Sequence, residues 1–281
     1  MTYRTRFAPS PTGPLHLGHA YSALTAFDRA RANGGEFLLR IEDIDRARSK
    51  SAFEAQIFDD LTWLGLSWPH PVLRQSTRLA AYRAALDQLI ALGLCYPCQC
   101  SRGDIRAVLS APQEGAKHGP DGLIYPGTCR SRPMSGATET DSIRLNMRAA
   151  IDHLSTEPRF TETGPLHQGI HHITAQNMIE TVGDVVLARR DMGTAYHLSV
   201  TVDDAHQNIT EVVRGIDLFD ATRIHVLLQS LLQLPVPDYH HHDLIRDDHG
   251  KRLAKRDDAR AIAKYRADGV TPQDIRKMVS P

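Results

Sequence analysis

Apolar residues first take up helical spacing at Leu17, Ala20, Tyr21, Leu24 and Phe27. Behind them a short segment, Tyr3 to Ala8, reads as a strand ended by Pro9 and Pro11. Gly34 and Gly35 close that helix, EFLLRIED supplies a second strand, and Phe53, Ile57, Leu61 and Leu64 mark a second helix. A third helix is predicted from about Thr77 to Leu92 on the stripe Leu79, Tyr82, Leu86, Leu89 and Ile90, and LCYPC follows it. This alternation predicts an α/β protein with a parallel, doubly wound sheet whose ligands sit beyond the carboxyl ends of the strands.

Between about Arg102 and Asp184 the rhythm breaks into a stretch dense in Gly, Pro and Ser, where only SIRLNMR and DVVLARR look strand-like. An insertion is the reading that fits. Alternation resumes with a helix near TAYHLSVTVDDAHQ, the strand ITEVVRG, and a helix from Leu218 to Leu234 built on Ile224, Leu227, Leu228 and Leu231. The expected organisation is therefore a first catalytic half over 1–97, an inserted subdomain over 98–185, and a second catalytic half over 186–281. No internal repeat is visible.

Composition narrows the class without deciding it. At 281 residues, 41% apolar and 23% charged, the chain can bury a sizeable core and is no disordered tail. Lys plus Arg and Asp plus Glu are equal at 33 each, so any nucleic-acid contact must come from local patches and not from a positive field. No apolar run approaches the roughly 20 residues of a membrane span, and the start lacks the apolar core of a signal peptide, so a cytoplasmic protein with no membrane contact is expected. Three of the four cysteines, Cys95, Cys98 and Cys100, fall within six residues, which suggests a metal before a disulfide.

The segment PSPTGPLHLGHA carries the first candidate chemistry. His16 and His19 lie on one face at the mouth of a helix that follows a strand, close to the backbone N–H groups of its first turn. Phosphate suits that position. Zinc would want a third ligand at comparable spacing and the HExxH general base is absent, while two capping or surface histidines are the plainer alternative. Gly18 would let a nucleotide approach the backbone, and Pro9, Pro11 and Gly13 fix the turn that delivers the helix.

RFAPSPTGPLHLGHA, RIEDID, DDAHQNITEVVRGIDL and the basic KRLAKR, in that order and with similar spacing, resemble the glutamate-activating class I aminoacyl-tRNA synthetases. The chain is more closely similar to their truncated relatives, the glutamyl-queuosine tRNA(Asp) synthetases. The similarity runs from about residue 4 to residue 260. It implies a Rossmann-like catalytic sheet of class I type, with HLGH as the HIGH signature that binds ATP and RLAKR, residues 252 to 256, standing where the family has KMSKS. In that second motif Arg252 and Ala254 replace the usual lysine and serine, whereas Lys255 remains. A mobile lysine beside the leaving pyrophosphate suits in-line adenylyl transfer, which depends on positioning and charge stabilisation.

For the amino acid, the resemblance implies contacts from Arg6, Phe7, Ala8, Pro9 and Ser10 on the first strand and its turn, and from Glu42, Tyr196 and Arg214. The chemistry is sensible, because a carboxylate needs a guanidinium fork, an α-amino group needs a carboxylate, and a tyrosine can offer its hydroxyl. Which of Arg6 and Arg214 would meet the side-chain carboxylate is open. Taken singly, each could equally be a surface ion pair worth less than about 1 kcal/mol.

Cys98, Cys100 and Cys129 form a three-thiolate zinc signal with one tetrahedral corner to fill. The resemblance fills it with Tyr125; Cys95 and His118 are the competing groups, and reduced, unliganded cysteines are the plain reading. HHH at 240–242 and HH at 171–172 are read as structural or surface, since consecutive strand residues face opposite ways.

The resemblance further implies two steps: tRNA-independent formation of glutamyl-adenylate from L-glutamate, ATP and Mg2+, then transfer to a tRNA nucleophile. Because the sequence stops about 25 residues after KRLAKR, no anticodon-binding domain is expected. The implied acceptor is queuosine at the wobble position of tRNA(Asp), and the expected form is a monomer with one structural Zn2+. The alternatives are a compact glutamyl-tRNA synthetase charging a 3′ end, a small-molecule nucleotidyltransferase, and a silent tRNA-binding or zinc-binding paralogue suggested by Ala254.

Overall fold

The computed structural model describes residues 2–109, 118–245 and 260–279. Strand β1 (Arg4–Phe7), helix α1 (Leu17–Ala32), strand β2 (Glu36–Ile41) and helix α2 (Ser51–Trp63) follow one another as the apolar pattern predicts. A short β3 (Leu73–Arg74) extends this first sheet, in which β1, β2 and β3 run parallel. Helix α1 ends at Gly34, whose φ of 60° favours glycine, and Gly35 N–H then donates back to Ala30 O at 2.8 Å. Helix α3 (Leu79–Ala91) begins at the first residue of its apolar stripe, two residues after the expected Thr77, following a 3-10 turn over Gln75–Thr77.

The middle of the chain is more ordered than its Gly, Pro and Ser content predicts. It holds β4 (Cys95–Cys98), α4 (Arg102–Leu109), the hairpin β5 (His118–Gly119) and β6 (Gly122–Leu123), and β7 (Ser142–Leu145). Then come α5 (Met147–His153), β8 (Arg159–Glu162), β9 (Gly169–His172), α6 (Ala175–Asn177) and β10 (Val186–Ala188). SIRLNMR is a strand only to Leu145, because the Asn146 side chain accepts from Ala149 N–H at 3.3 Å and starts α5. Strands β4, β7 and β10 form an antiparallel sheet centred on β7, whereas β8 leaves that group for the catalytic sheet.

Helix α7 (Tyr196–His206), strand β11 (Glu211–Gly215), helix α8 (Thr222–Leu231) and strand β12 (Asp238–His242) complete the α/β alternation. The second parallel set, β11–β12–β8, carries β9 antiparallel at its edge. It abuts the first along β1 and β11, where Thr210 N–H donates to Arg4 O at 3.0 Å. Helix α8 starts four residues after the predicted Leu218, following a 3-10 turn over Ile216–Leu218, and this break leaves the Leu218 carbonyl available to a side chain. Helices α9 (Ile262–Ala267) and α10 (Pro272–Val279) return the chain to α1.

Two apolar cores cover the two faces of the sheet. Leu24 and Phe27 of α1, Ile57 and Leu61 of α2, Ile262 of α9 and Ile275 of α10 close one. Leu89 of α3, Leu198 of α7 and Leu227 and Leu228 of α8 lie in the other. Each fully buried Leu, Ile or Phe contributes roughly 1.5–3 kcal/mol, so the carboxyl ends of β1, β2, β11 and β12 are held from both sides. No described helix is long and apolar enough to cross a membrane.

Candidate active site

A cavity of about 430 Å³ opens beyond the carboxyl ends of β1, β2, β11 and β12. Most of the residues singled out from the sequence meet there: Arg6, Phe7, Ala8, His16, Gly18, His19, Glu42, Tyr196 and Arg214 all line it. Pro9 and Ser10 do not; they lie just behind, where Pro9 O accepts from Glu42 N–H at 3.0 Å and fastens the β1 turn to the end of β2.

His16 is the N-cap of α1. Its Nδ1 accepts from Gly18 N–H at 3.1 Å, while His19 Nδ1 accepts from His16 N–H at 3.1 Å, so two histidines build the reciprocal cap usually made by Ser and Glu. Their rings stack at 3.8 Å between centroids. With both Nδ1 atoms accepting, the neutral rings carry their protons on Nε2. Gly18 has a reason nearer home than the approach of a nucleotide: a Cβ there would stand 3.1 Å from His16 Cε1, so the missing side chain makes room for the folded-back ring.

The floor of the cavity is a buried charged cluster. Arg6 makes a fork to Asp204, with Nε to Oδ1 at 2.9 Å and Nη2 to Oδ2 at 3.2 Å, and Arg40 Nη1 reaches the same Oδ1 at 2.7 Å. Burial alone would raise the Asp204 pKa, but the two guanidiniums hold it below the usual carboxylate range. Glu42 accepts from Arg40 Nη2 at 3.1 Å, yet burial outweighs that partner and pushes its carboxyl up.

Arg214 is held differently. Its Nε donates to His241 Nε2 at 3.0 Å, Nη1 meets His225 Nδ1 at 3.1 Å, and Nη2 donates to Thr222 Oγ1 at 2.8 Å and Leu218 O at 3.2 Å. The carbonyl left by the break before α8 is thereby used. Among the described residues no carboxylate pairs with Arg214, whose guanidinium lines the cavity.

Lys255, Arg252 and Ala254 lie outside the described residues. The flanks are described: Asp243, Leu244 and Ile245 line the cavity, and Ala261 forms a β-bridge with His16 while Ile262 N–H donates to Leu15 O at 2.9 Å. The upstream flank of the KRLAKR segment therefore lines the cavity, and the downstream flank touches the mouth of α1.

The cysteines gather in the inserted region. The sulfurs of Cys98, Cys100 and Cys129 lie within 4.8 Å of one another, with Cys100 to Cys129 at 3.6 Å. The Tyr125 hydroxyl sits 3.4 Å from Cys98 Sγ and 3.3 Å from Cys100 Sγ, and Arg144 lies 4.0 Å over its ring. Cys95 instead packs in the main apolar core, and the cluster formed by the described residues does not include His118. Three thiolates gathered this closely are compatible with a zinc site.

Sequence reasoning passed over several residues of the cavity. His242 reaches it, bonded through Nε2 to Ser22 Oγ at 2.8 Å and packed on Tyr21, and Asp217 lines it. Strand alternation does separate His241 from its neighbours, and of the two readings, structural or surface, burial of His241 and His242 fits the structural one. By contrast His172 is exposed, and His171 caps the edge by stacking on Phe160 at 5.1 Å. Asp204 lies in the DDAHQ stretch, where an acid in a helix carries no signal until Arg6 and Arg40 converge on it.

Residues 2–280 match the family model described as tRNA synthetases class I (E and Q), catalytic domain. The chain is 63% identical over 278 residues to a protein of Rhodobacter capsulatus named glutamyl-Q tRNA(Asp) synthetase, covering 98% of this chain and 99% of that one. A protein of the same name from Symbiobacterium thermophilum is 42% identical over 280 residues, covering 96% of this chain and 83% of that one. Among solved structures, a glutamate tRNA ligase from Elizabethkingia meningosepticum in complex with its amino acid superposes with a TM-score of 0.72 at 29% identity. The alignment covers 92% of this chain and 52% of that ligase, so the chain spans about half its length.

Proposed function

From the premise that this chain belongs to the class I tRNA synthetase catalytic family for glutamate and glutamine, we propose that it is a glutamyl-queuosine tRNA(Asp) synthetase. It activates L-glutamate with ATP in the absence of tRNA and passes the glutamyl group to the queuosine base at the wobble position of tRNA(Asp). One observation carries the reading: a single cavity joins the histidine-capped mouth of α1 to a buried guanidinium that has no carboxylate partner among the described residues.

In the first step a carboxylate oxygen of glutamate attacks the α-phosphorus of ATP and pyrophosphate leaves. His16 and His19 donate Nε2–H to phosphate oxygens, and removing one such donor costs roughly 10²- to 10³-fold in rate. Lys255 is assigned the leaving pyrophosphate. Arg6 and Arg214 take the two carboxylates of the amino acid, Glu42 its ammonium group, and Tyr196, at the first turn of α7, its remaining polar edge; Phe7, Ala8, Pro9 and Ser10 shape the turn beneath. Mg2+ accompanies the nucleotide and supplies charge neutralisation on its phosphates. In the second step a queuosine hydroxyl attacks the glutamyl carbonyl, an ester forms and AMP leaves.

Cys98, Cys100, Cys129 and Tyr125 are assigned a structural Zn2+, which would tie β4 to the loop after β6. The reading carries with it a cytoplasmic monomer. Labelled glutamate offered to tRNA(Asp) with and without queuosine tests the acceptor: label should appear only with queuosine and map to the anticodon. Equal labelling of both tRNAs, or label lost on removing the terminal CCA, overturns it.

A further inference from the structure

Behind Arg214 a line of buried polar groups runs through the sheet. Glu162, at the end of β8, accepts at Oε2 from His241 Nδ1 at 2.5 Å, and His241 Nε2 accepts from Arg214 Nε. The other carboxylate oxygen, Oε1, accepts two backbone N–H groups, from His241 at 2.9 Å and Gly164 at 2.7 Å. Glu162 and His241 are each 1% exposed, so water does not substitute for any of these partners. Gly164 is required by this packing, since a Cβ would stand 2.6 Å from Glu162 Oε1 and 2.3 Å from His241 O.

We propose that Glu162 is a positioning residue for substrate binding: through His241 it fixes the imidazole tautomer that receives Arg214, and so aims the guanidinium at the incoming carboxylate. This rests on the reading of Arg214 as a glutamate contact.

The logic is one of proton placement. A guanidinium has five N–H donors and no acceptor, so a neighbouring imidazole can hold it only with a bare nitrogen. His241 presents bare Nε2 only while its proton sits on Nδ1, and an acceptor-only carboxylate at Glu162 enforces that. Burial pushes the His241 imidazole down to about 4, so the ring stays neutral in use. His225 repeats the arrangement on the other side, accepting at Nδ1 from Arg214 and meeting His197 Nδ1 through Nε2 at 3.0 Å. Neutral rings orient Arg214 without cancelling its charge, which a carboxylate in direct contact would do.

Glu162→Gln changes one atom and makes a sharp test. The two backbone N–H groups require the amide oxygen at the Oε1 position, which turns the NH2 toward His241 Nδ1. The imidazole must then carry its proton on Nε2, where it confronts Arg214 N–H, donor against donor. The expected result in pyrophosphate exchange is a glutamate KM raised about tenfold or more with the ATP KM within about twofold. Nitrogen-15 NMR of histidine-labelled protein, with His241 identified by its loss in His241→Gln, should show Nδ1–H in the parent and Nε2–H in Glu162→Gln. An unchanged glutamate KM in a folded Glu162→Gln protein overturns the proposal. So does an Nε2–H tautomer in the parent, which decides the matter even where the variant fails to fold. Arg214→Lys separates the two levels: if it leaves the glutamate KM unchanged, the assignment of Arg214 fails; if only Glu162→Gln does, the relay alone fails.

Discussion

Asp60 and Asp204 are both buried carboxyls, and they respond to pH with opposite sign. Asp204 is held below the usual range by Arg6 and Arg40, so its contribution is present above the unfolded-state pKa and is lost as pH falls through the folded value. Asp60 on α2 is 1% exposed, neither oxygen has a hydrogen-bond partner, and burial pushes its carboxyl up to about 6. Its folded form binds a proton more tightly than the unfolded chain, so stability falls as pH rises through about 4 to 6, by up to about 3 kcal/mol. Thermal melts should show Asp60→Asn more stable than the parent at pH 7.5, with the gain gone near pH 4. Asp204→Asn, which strands two buried guanidiniums, should lose roughly 3–5 kcal/mol at pH 7.5. Melts insensitive to either substitution would mean that these carboxyls are solvated. Neither role was legible in the sequence, because an aspartate in a helix looks the same whether it is paired, stranded or wet; Arg6, Glu42 and Arg214 were legible only through a motif, not through their chemistry alone.

At the scale of elements, α1 shows how a functional signature can also be local structure. HLGH makes its own N-cap, and the cost of a glycine in a first turn is accepted because the ring of His16 needs the space. Gly18→Ala should therefore leave stability within about 1 kcal/mol of the parent, the gain in helix propensity offset by the weakened cap, while raising the KM for ATP several-fold as the ring is pushed off its cap. An unchanged ATP KM would show that the His16 pose does not matter to the nucleotide. The helices and strands with a clean apolar period, α1, α2, β2 and β11, could be read from the chain. Helix α8 could not be placed to the residue, because its start is set by a tertiary bond from Arg214 to Leu218 O. In the same way β8 could not be assigned to the catalytic sheet, because its partner β12 lies about 80 residues away in the sequence and only pairing reveals it.

Across the whole molecule, the cysteine cluster and the nucleotide cavity sit in different sheets, which separates their failure modes. With zinc held as proposed, a chelator should make the region around β4 to β7 protease-sensitive, while ATP binding measured by equilibrium titration changes by less than about threefold. A parallel loss of ATP binding would mean that the two regions unfold together. The bridge between His16 and Ala261 has a temporal meaning as well. A ribosome makes His16 some 245 residues before Ala261, the residue that bridges to it, so the mouth of the nucleotide site is finished only after the intervening chain has been made. A growing chain therefore carries its ATP signature long before it can use it, and glutamate activation is withheld until Ala261 has come home to His16.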